Sequence, residues 1–78
     1  MAKMDVAFYT TLGCHLCDEA QALLHQVSPN THVKSVEIAE SDELIALYGR
    51  RIPVLKRLDN FQELAWPFNE AALLSFMQ

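Results

Sequence analysis

Val6-Ala7-Phe8-Tyr9-Thr10-Thr11-Leu12-Gly13-Cys14-His15-Leu16-Cys17 is the stretch on which the reading of this chain turns. Its first five residues form a short apolar run, rich in aromatic and β-branched side chains and too brief for a helix, so they predict a buried strand. Thr10-Thr11-Leu12-Gly13 breaks that strand. From His15 to Val27 the apolar positions Leu16, Ala20, Leu23 or Leu24, and Val27 recur at intervals of three and four, which predicts an amphipathic helix stopped by Ser28-Pro29-Asn30. Cys14 and Cys17 therefore fall where a strand hands over to a helix.

Working outward, His32 to Ile38 alternates through Val33, Val36 and Ile38 and predicts a second strand. Ser41 is a good N-cap for a helix whose first turn carries Asp42 and Glu43 and whose apolar face is Leu44, Ile45, Leu47 and Tyr48. Gly49 is expected to end it as a left-handed C-cap. Ile52 to Leu55 and Phe61 to Ala65 read as an antiparallel pair of strands joined by a turn at Asp59-Asn60, two residues that tolerate left-handed backbone angles. Asn69 caps a last helix, Glu70 to Met77, which buries Ala72, Leu73, Phe76 and Met77. The order is β-α-β-α-β-β-α, with a parallel first pair joined by a right-handed crossover and a hairpin plus helix to close.

Seventy-eight residues suffice for one domain, taken as 1–78, with a thin core. Half of them are hydrophobic (51%) and 21% charged, which is the balance of a folded domain and not of a disordered chain. The formal net charge of -4 opposes binding to nucleic acid or to an anionic membrane, both of which require a basic face. No apolar stretch approaches the ~20 residues of a membrane span. Met1-Ala2-Lys3-Met4-Asp5 leads into the first strand without the apolar core or cleavage site of a secretory signal. The expectation is a cytoplasmic monomer, and in that compartment a close cysteine pair is catalytic or metal-binding more often than structural.

A Cys-x-x-Cys pair at a helix start sets its first sulfur beside unpaired backbone N–H groups at the positive end of the helix dipole. That lowers the pKa of Cys14 and raises the fraction present as thiolate, the species that attacks disulfides, so Cys14 is the candidate nucleophile. Cys17, one turn on along the same face, is the candidate resolving thiol. His15, when protonated, stabilises a thiolate beside it, whereas Asp18 and Glu19 oppose one and also complement the helix dipole. Gly13 suits a tight turn that leaves the approach to Cys14 open. Two other readings of the pair stand beside this one. Zinc needs four ligands, and the further candidates His15, His25 and His32 form no second close pair; a structural disulfide sits oddly in a reducing compartment.

With these residues in place, the chain resembles the glutaredoxins of the thioredoxin superfamily, and in particular the short glutaredoxin-like proteins of bacteria. The resemblance runs over essentially the whole chain. It rests on Phe8-Tyr9-Thr10 leading to Cys14-His15-Leu16-Cys17, on Arg51-Ile52-Pro53-Val54, and on Trp66-Pro67-Phe68-Asn69-Glu70. It implies a three-layer α/β fold with a four-stranded mixed sheet flanked by helices. It further implies exchange of disulfides through a mixed disulfide on Cys14, with no metal or organic cofactor beyond a thiol donor such as glutathione. The substrate would be a disulfide-containing protein or small molecule. It also implies a cis bond before Pro53, with Ile52 offering its backbone N–H and C=O to the substrate as an added strand.

The chain departs from the glutaredoxin pattern in three places. His15-Leu16 contains no proline, the glycines and acids that hold the γ-glutamyl end of glutathione are replaced by Trp66 to Glu70, and no basic residue precedes the redox motif. Asn69 remains as an acceptor for an ammonium group, and Arg51 or Arg50 as a partner for a carboxylate, against solvated surface arginines as the plain alternative. Trp66 and Phe68 read as packing residues of a thin core, with an apolar platform for a peptide substrate as the alternative. A glutaredoxin proper that uses glutathione directly, and a redox-inactive binding module that has kept the fold, are the competing functions.

Overall fold

A computed structural model of the chain describes residues 5–78. Met1 to Met4, read above for a leader, lie outside that range. The elements are β1 (Asp5–Thr10), α1 (His15–Val27), β2 (His32–Glu37), a single 3-10 turn (Ile38–Glu40), α2 (Asp42–Tyr48), β3 (Val54–Arg57), β4 (Glu63–Ala65) and α3 (Glu70–Met77). The sheet runs β2-β1-β3-β4. β1 and β2 are parallel, from Asp5 opposite His32 to Thr10 opposite Glu37. β3 is antiparallel to β1, with Val6 opposite Arg57 and Tyr9 opposite Val54, and β4 is antiparallel to β3.

Alternation along a strand sends successive side chains to opposite faces, so the central strand β1 serves two cores. Val6 and Phe8, with Leu55 of β3, meet Cys17, Ala20 and Leu24 of α1, Leu73 and Phe76 of α3, and Phe68. On the other side Tyr9 and Val54 meet Ile38, Leu44 and Tyr48 from the 3-10 turn and α2. The result is three layers, helix, sheet and helix. Each fully buried leucine is worth about 2 kcal/mol, so the α1/α3 side, which holds Leu24, Leu55 and Leu73, carries the larger share of the core.

Several sequence expectations are corrected. Ile45 and Leu47, placed on the apolar face of α2, are exposed, because a seven-residue helix presents to the sheet only the stripe through Leu44 and Tyr48. Leu16 is likewise outside the buried stripe of α1, which runs through Cys17, Ala20 and Leu24. Gly49 is right-handed (φ −52°, ψ −32°), because hydrogen bonding continues past it: Arg51 and Ile52 N–H both donate to the Tyr48 carbonyl, at 2.8 and 3.1 Å. Glycine is needed there for close approach instead, since a Cβ would stand 2.5 Å from the Ile45 carbonyl oxygen.

The third strand begins at Val54, two residues later than its apolar run, and the fourth at Glu63. In the turn between them the left-handed residue is Phe61 (φ 62°), neither Asp59 nor Asn60. Those two use their side chains to hold Arg57 and the Gln62 N–H.

Candidate active site

The loop after β1 ends in Gly13, whose φ of 77° turns the chain into α1. Cys14 follows as N-cap in extended backbone, and its Sγ accepts the Cys17 N–H at 3.1 Å, so sulfur occupies the place a serine or aspartate oxygen takes in other helices. The two sulfurs are joined in a disulfide, with Cα atoms 5.2 Å apart. They are not equivalent. Cys14 is half-buried at the edge of the core, whereas Cys17 is 2% exposed among the core side chains. A reagent from solvent reaches the first sulfur and finds the second behind it.

Glu37, the last residue of β2, holds the loop before the cysteines. Its Oε1 accepts the Leu12 N–H at 2.9 Å, and its Oε2 accepts the Ala39 N–H at 3.0 Å. The Ala39 N–H, helped by the Thr11 side chain, keeps this carboxyl below the usual carboxylate range. The Cys14 N–H donates to the Thr11 carbonyl at 3.3 Å, which carries the restraint on to Cys14. Sequence reading missed Glu37. The available signal was its level with Thr10 once β1 and β2 are taken as a parallel pair. His15 is exposed, with Nε2 4.0 Å from a Glu19 carboxylate oxygen one turn on.

The Ile52–Pro53 peptide bond is cis, Pro53 is buried, and its carbonyl accepts the Trp66 N–H at 2.9 Å. The Trp66–Pro67 bond is cis as well. Trp66 meets Phe68 edge to face at 5.0 Å, as packing residues do. Ile52 lies between the two cores and packs against both. Its N–H, expected to be free for a substrate, is already donated to the Tyr48 carbonyl, because the end of α2 tightens onto it. The Arg51 guanidinium is engaged too, donating to Glu63 Oε1 at 3.0 Å and lying 5.5 Å from the centre of the Tyr48 ring. The Tyr48 hydroxyl donates to the other Glu63 oxygen at 2.6 Å. That bond and, second, Arg51 lower the Glu63 pKa, while the same bond and burial raise that of Tyr48. Asn69 Oδ1 accepts the Ala72 N–H at 2.8 Å as the cap of α3.

Among the described residues no three His, Cys, Asp or Glu side chains are grouped to hold a metal ion, and no helix is long and apolar enough to cross a membrane. A surface depression of about 520 Å³ between α1 and β2 is lined by Asp18, Gln21, His25, Thr31 and Val33 among others, and includes neither cysteine.

The sequence profile of the Glutaredoxin-like domain (DUF836) family matches residues 5–78. The chain belongs to the glutaredoxin-like domain family. Among solved structures it is similar to the structural-genomics target XcR50 from X. campestris, at 35% identity over 91% of this chain and 92% of that one, with a TM-score of 0.83. It is also similar to protein Ne2328 from Nitrosomonas europaea, at 23% identity over 100% and 95% of the two chains and a TM-score of 0.85. An N21Q mutant thioredoxin from Halobacterium salinarum NRC-1 shares the fold at 18% identity, over 96% of this chain and 72% of that one, with a TM-score of 0.66. No curated protein matches the chain. The glutaredoxin-like fold and a Cys14–Cys17 pair within disulfide reach are consistent with redox chemistry.

Proposed function

We propose that this glutaredoxin-like protein is a thiol–disulfide oxidoreductase that works through a mixed disulfide on Cys14. The observation that carries the reading is the asymmetry of the pair: an N-cap sulfur at the protein surface, hydrogen-bonded by the Cys17 N–H, with a buried partner one turn behind it. In the reduced protein the same N–H and the helix dipole favour a thiolate at Cys14. That thiolate attacks one sulfur of a substrate disulfide, forming a Cys14–substrate bond and releasing one substrate thiolate. Cys17, having given up its proton, then attacks Cys14 Sγ and releases the second substrate thiolate, which takes a proton. Two electrons pass from the protein dithiol to the substrate, and a thiol donor, glutathione being one, restores the dithiol.

His15, when protonated, adds positive charge beside the thiolate, and Glu19 draws that charge away from it. Ile52 and the cis-linked Pro53 form the second wall of the site; with the Ile52 N–H committed to Tyr48, its carbonyl is the group left for pairing with a substrate strand. Arg51 serves this wall indirectly, by holding it through Glu63. The protein works as a cytoplasmic monomer without a resident metal or organic cofactor.

The test is equilibration against glutathione redox buffers, read by thiol alkylation and mass. A reversible two-electron transition between two alkylated thiols and none, abolished in both Cys14→Ser and Cys17→Ser, is the expected outcome. Thiols that stay inert across the accessible range of potentials would leave a binding module that has kept the fold.

A further inference from the structure

We infer that the disulfide this site recognises lies in an apolar stretch of a polypeptide and is not that of glutathione. The inference rests on the exchange chemistry proposed above and adds the substrate class. Cys14 is flanked two residues away on either side by leucines that face water, Leu12 at 92% and Leu16 at 45% exposure. An exposed leucine by itself is ordinary, but these two bracket the accessible sulfur, and Leu12 is not on a loose loop. Its N–H is clamped by Glu37, whose second oxygen is held by the Ala39 N–H. Backbone held in place need not be ordered when a partner covers the side chain it carries, so the contact returns more of the burial free energy.

The polar groups around the pair point the same way. No lysine or arginine lies between Thr10 and Val27. The charged side chains beside Cys17 are the exposed carboxylates of Asp18 and Glu19. Arg51 is engaged by Glu63, Arg50 lines a depression on the outer side of α2 with Ile45 and Leu47, and the Asn69 amide oxygen caps α3. Each half of glutathione disulfide carries two carboxylates against one ammonium and meets the carboxylates of Asp18 and Glu19, the latter 4.0 Å from the His15 imidazole and so drawing on the one basic group beside the pair. A neutral or basic segment whose cysteine has leucine or phenylalanine neighbours finds two apolar contacts and no repulsion.

The experiment is single-turnover oxidation of the reduced full chain, read by quenched alkylation. It uses a peptide disulfide flanked by leucine and phenylalanine, a matched peptide with serine and glutamate in those places, glutathione disulfide, and hydroxyethyl disulfide. The apolar peptide is expected to react about tenfold faster than the matched peptide or glutathione disulfide, a difference of about 1.4 kcal/mol at 25 °C. In the Leu12→Asn, Leu16→Asn double variant the ratio of apolar to matched peptide rates should fall toward one. Both positions are exposed, so folding is not at stake. Glutathione disulfide reacting as fast as the apolar peptide, or a ratio unmoved by the double substitution, overturns the inference while the exchange chemistry stands. Failure of all four disulfides, hydroxyethyl disulfide included, removes the proposed function and this inference with it.

Discussion

Gly13 stands at φ 77° with nothing within 4 Å of where a Cβ would be, so a side chain there meets only the dihedral penalty. Gly13→Ala is therefore expected to destabilise the protein by about 1–2 kcal/mol, measured by urea unfolding of the oxidised form; an unchanged midpoint would mean that the loop relaxes without consequence for the cap at Cys14. This glycine was legible in the sequence, because a strand that must turn into a helix within four residues requires a backbone of that kind. Gly49 was legible only as a glycine. Its reason is the Ile45 carbonyl beneath it, a contact that no dihedral rule predicts. Phe61 was not legible at all as a left-handed residue. Asp59 and Asn60 are the better candidates by type, and they lose the position because their side chains are drawn to Arg57 and to the Gln62 N–H.

Among the elements, α1 and α3 have the bounds their apolar periodicity and caps predict, because both signals are local. β3 is shifted, because an apolar run records burial and not pairing: Ile52 is half-buried but tied to Tyr48, while Arg57 at the far end pairs opposite Val6. Arg57 also pins α3 from outside it, donating to the Phe76 carbonyl at 2.8 Å from a nearly buried position. The start of α3 depends on Asn69. Asn69→Ala should cost about 1 kcal/mol in urea unfolding, and Asn69→Asp should recover most of it. An alanine variant as stable as the parent would show that Arg57 and the core hold the helix without its cap.

On the scale of the whole molecule, Tyr48, Glu63 and Arg51 join α2, β4 and the segment before Pro53 through a single carboxylate. The raised pKa of Tyr48 means that its contribution to stability is complete below the ordinary tyrosine value of about 10 and is lost as pH rises through the folded value. The lowered pKa of Glu63 has the opposite sign. Its contribution is complete above the usual carboxylate range and is lost as pH falls through the folded value. Tyr48→Phe is expected to lower stability at neutral pH by about 1.5 kcal/mol, to flatten the alkaline limb, and to weaken the acid limb, where Arg51 still holds Glu63. Urea unfolding from pH 3 to 11 reads the neutral loss, the acid limb and the onset of the alkaline one; an alkaline onset identical to the parent's would place its cause elsewhere. The layered fold was legible from element order and motif together, but this tie was not, since its partners lie 12 and 15 residues from Glu63.

The chain has two cysteines, and they are bonded to each other. In that form it has no sulfhydryl with which to cross-link to anything. A covalent pair of chains can arise only by opening the internal bond, and once one sulfur is tied to a neighbour the other is free beside it to cut the neighbour loose. If the pair exchanges as proposed, a chain held to its neighbour through a single disulfide keeps one thiol in reach of that bond, and the linkage lasts only until a ring closes over the two intervening residues.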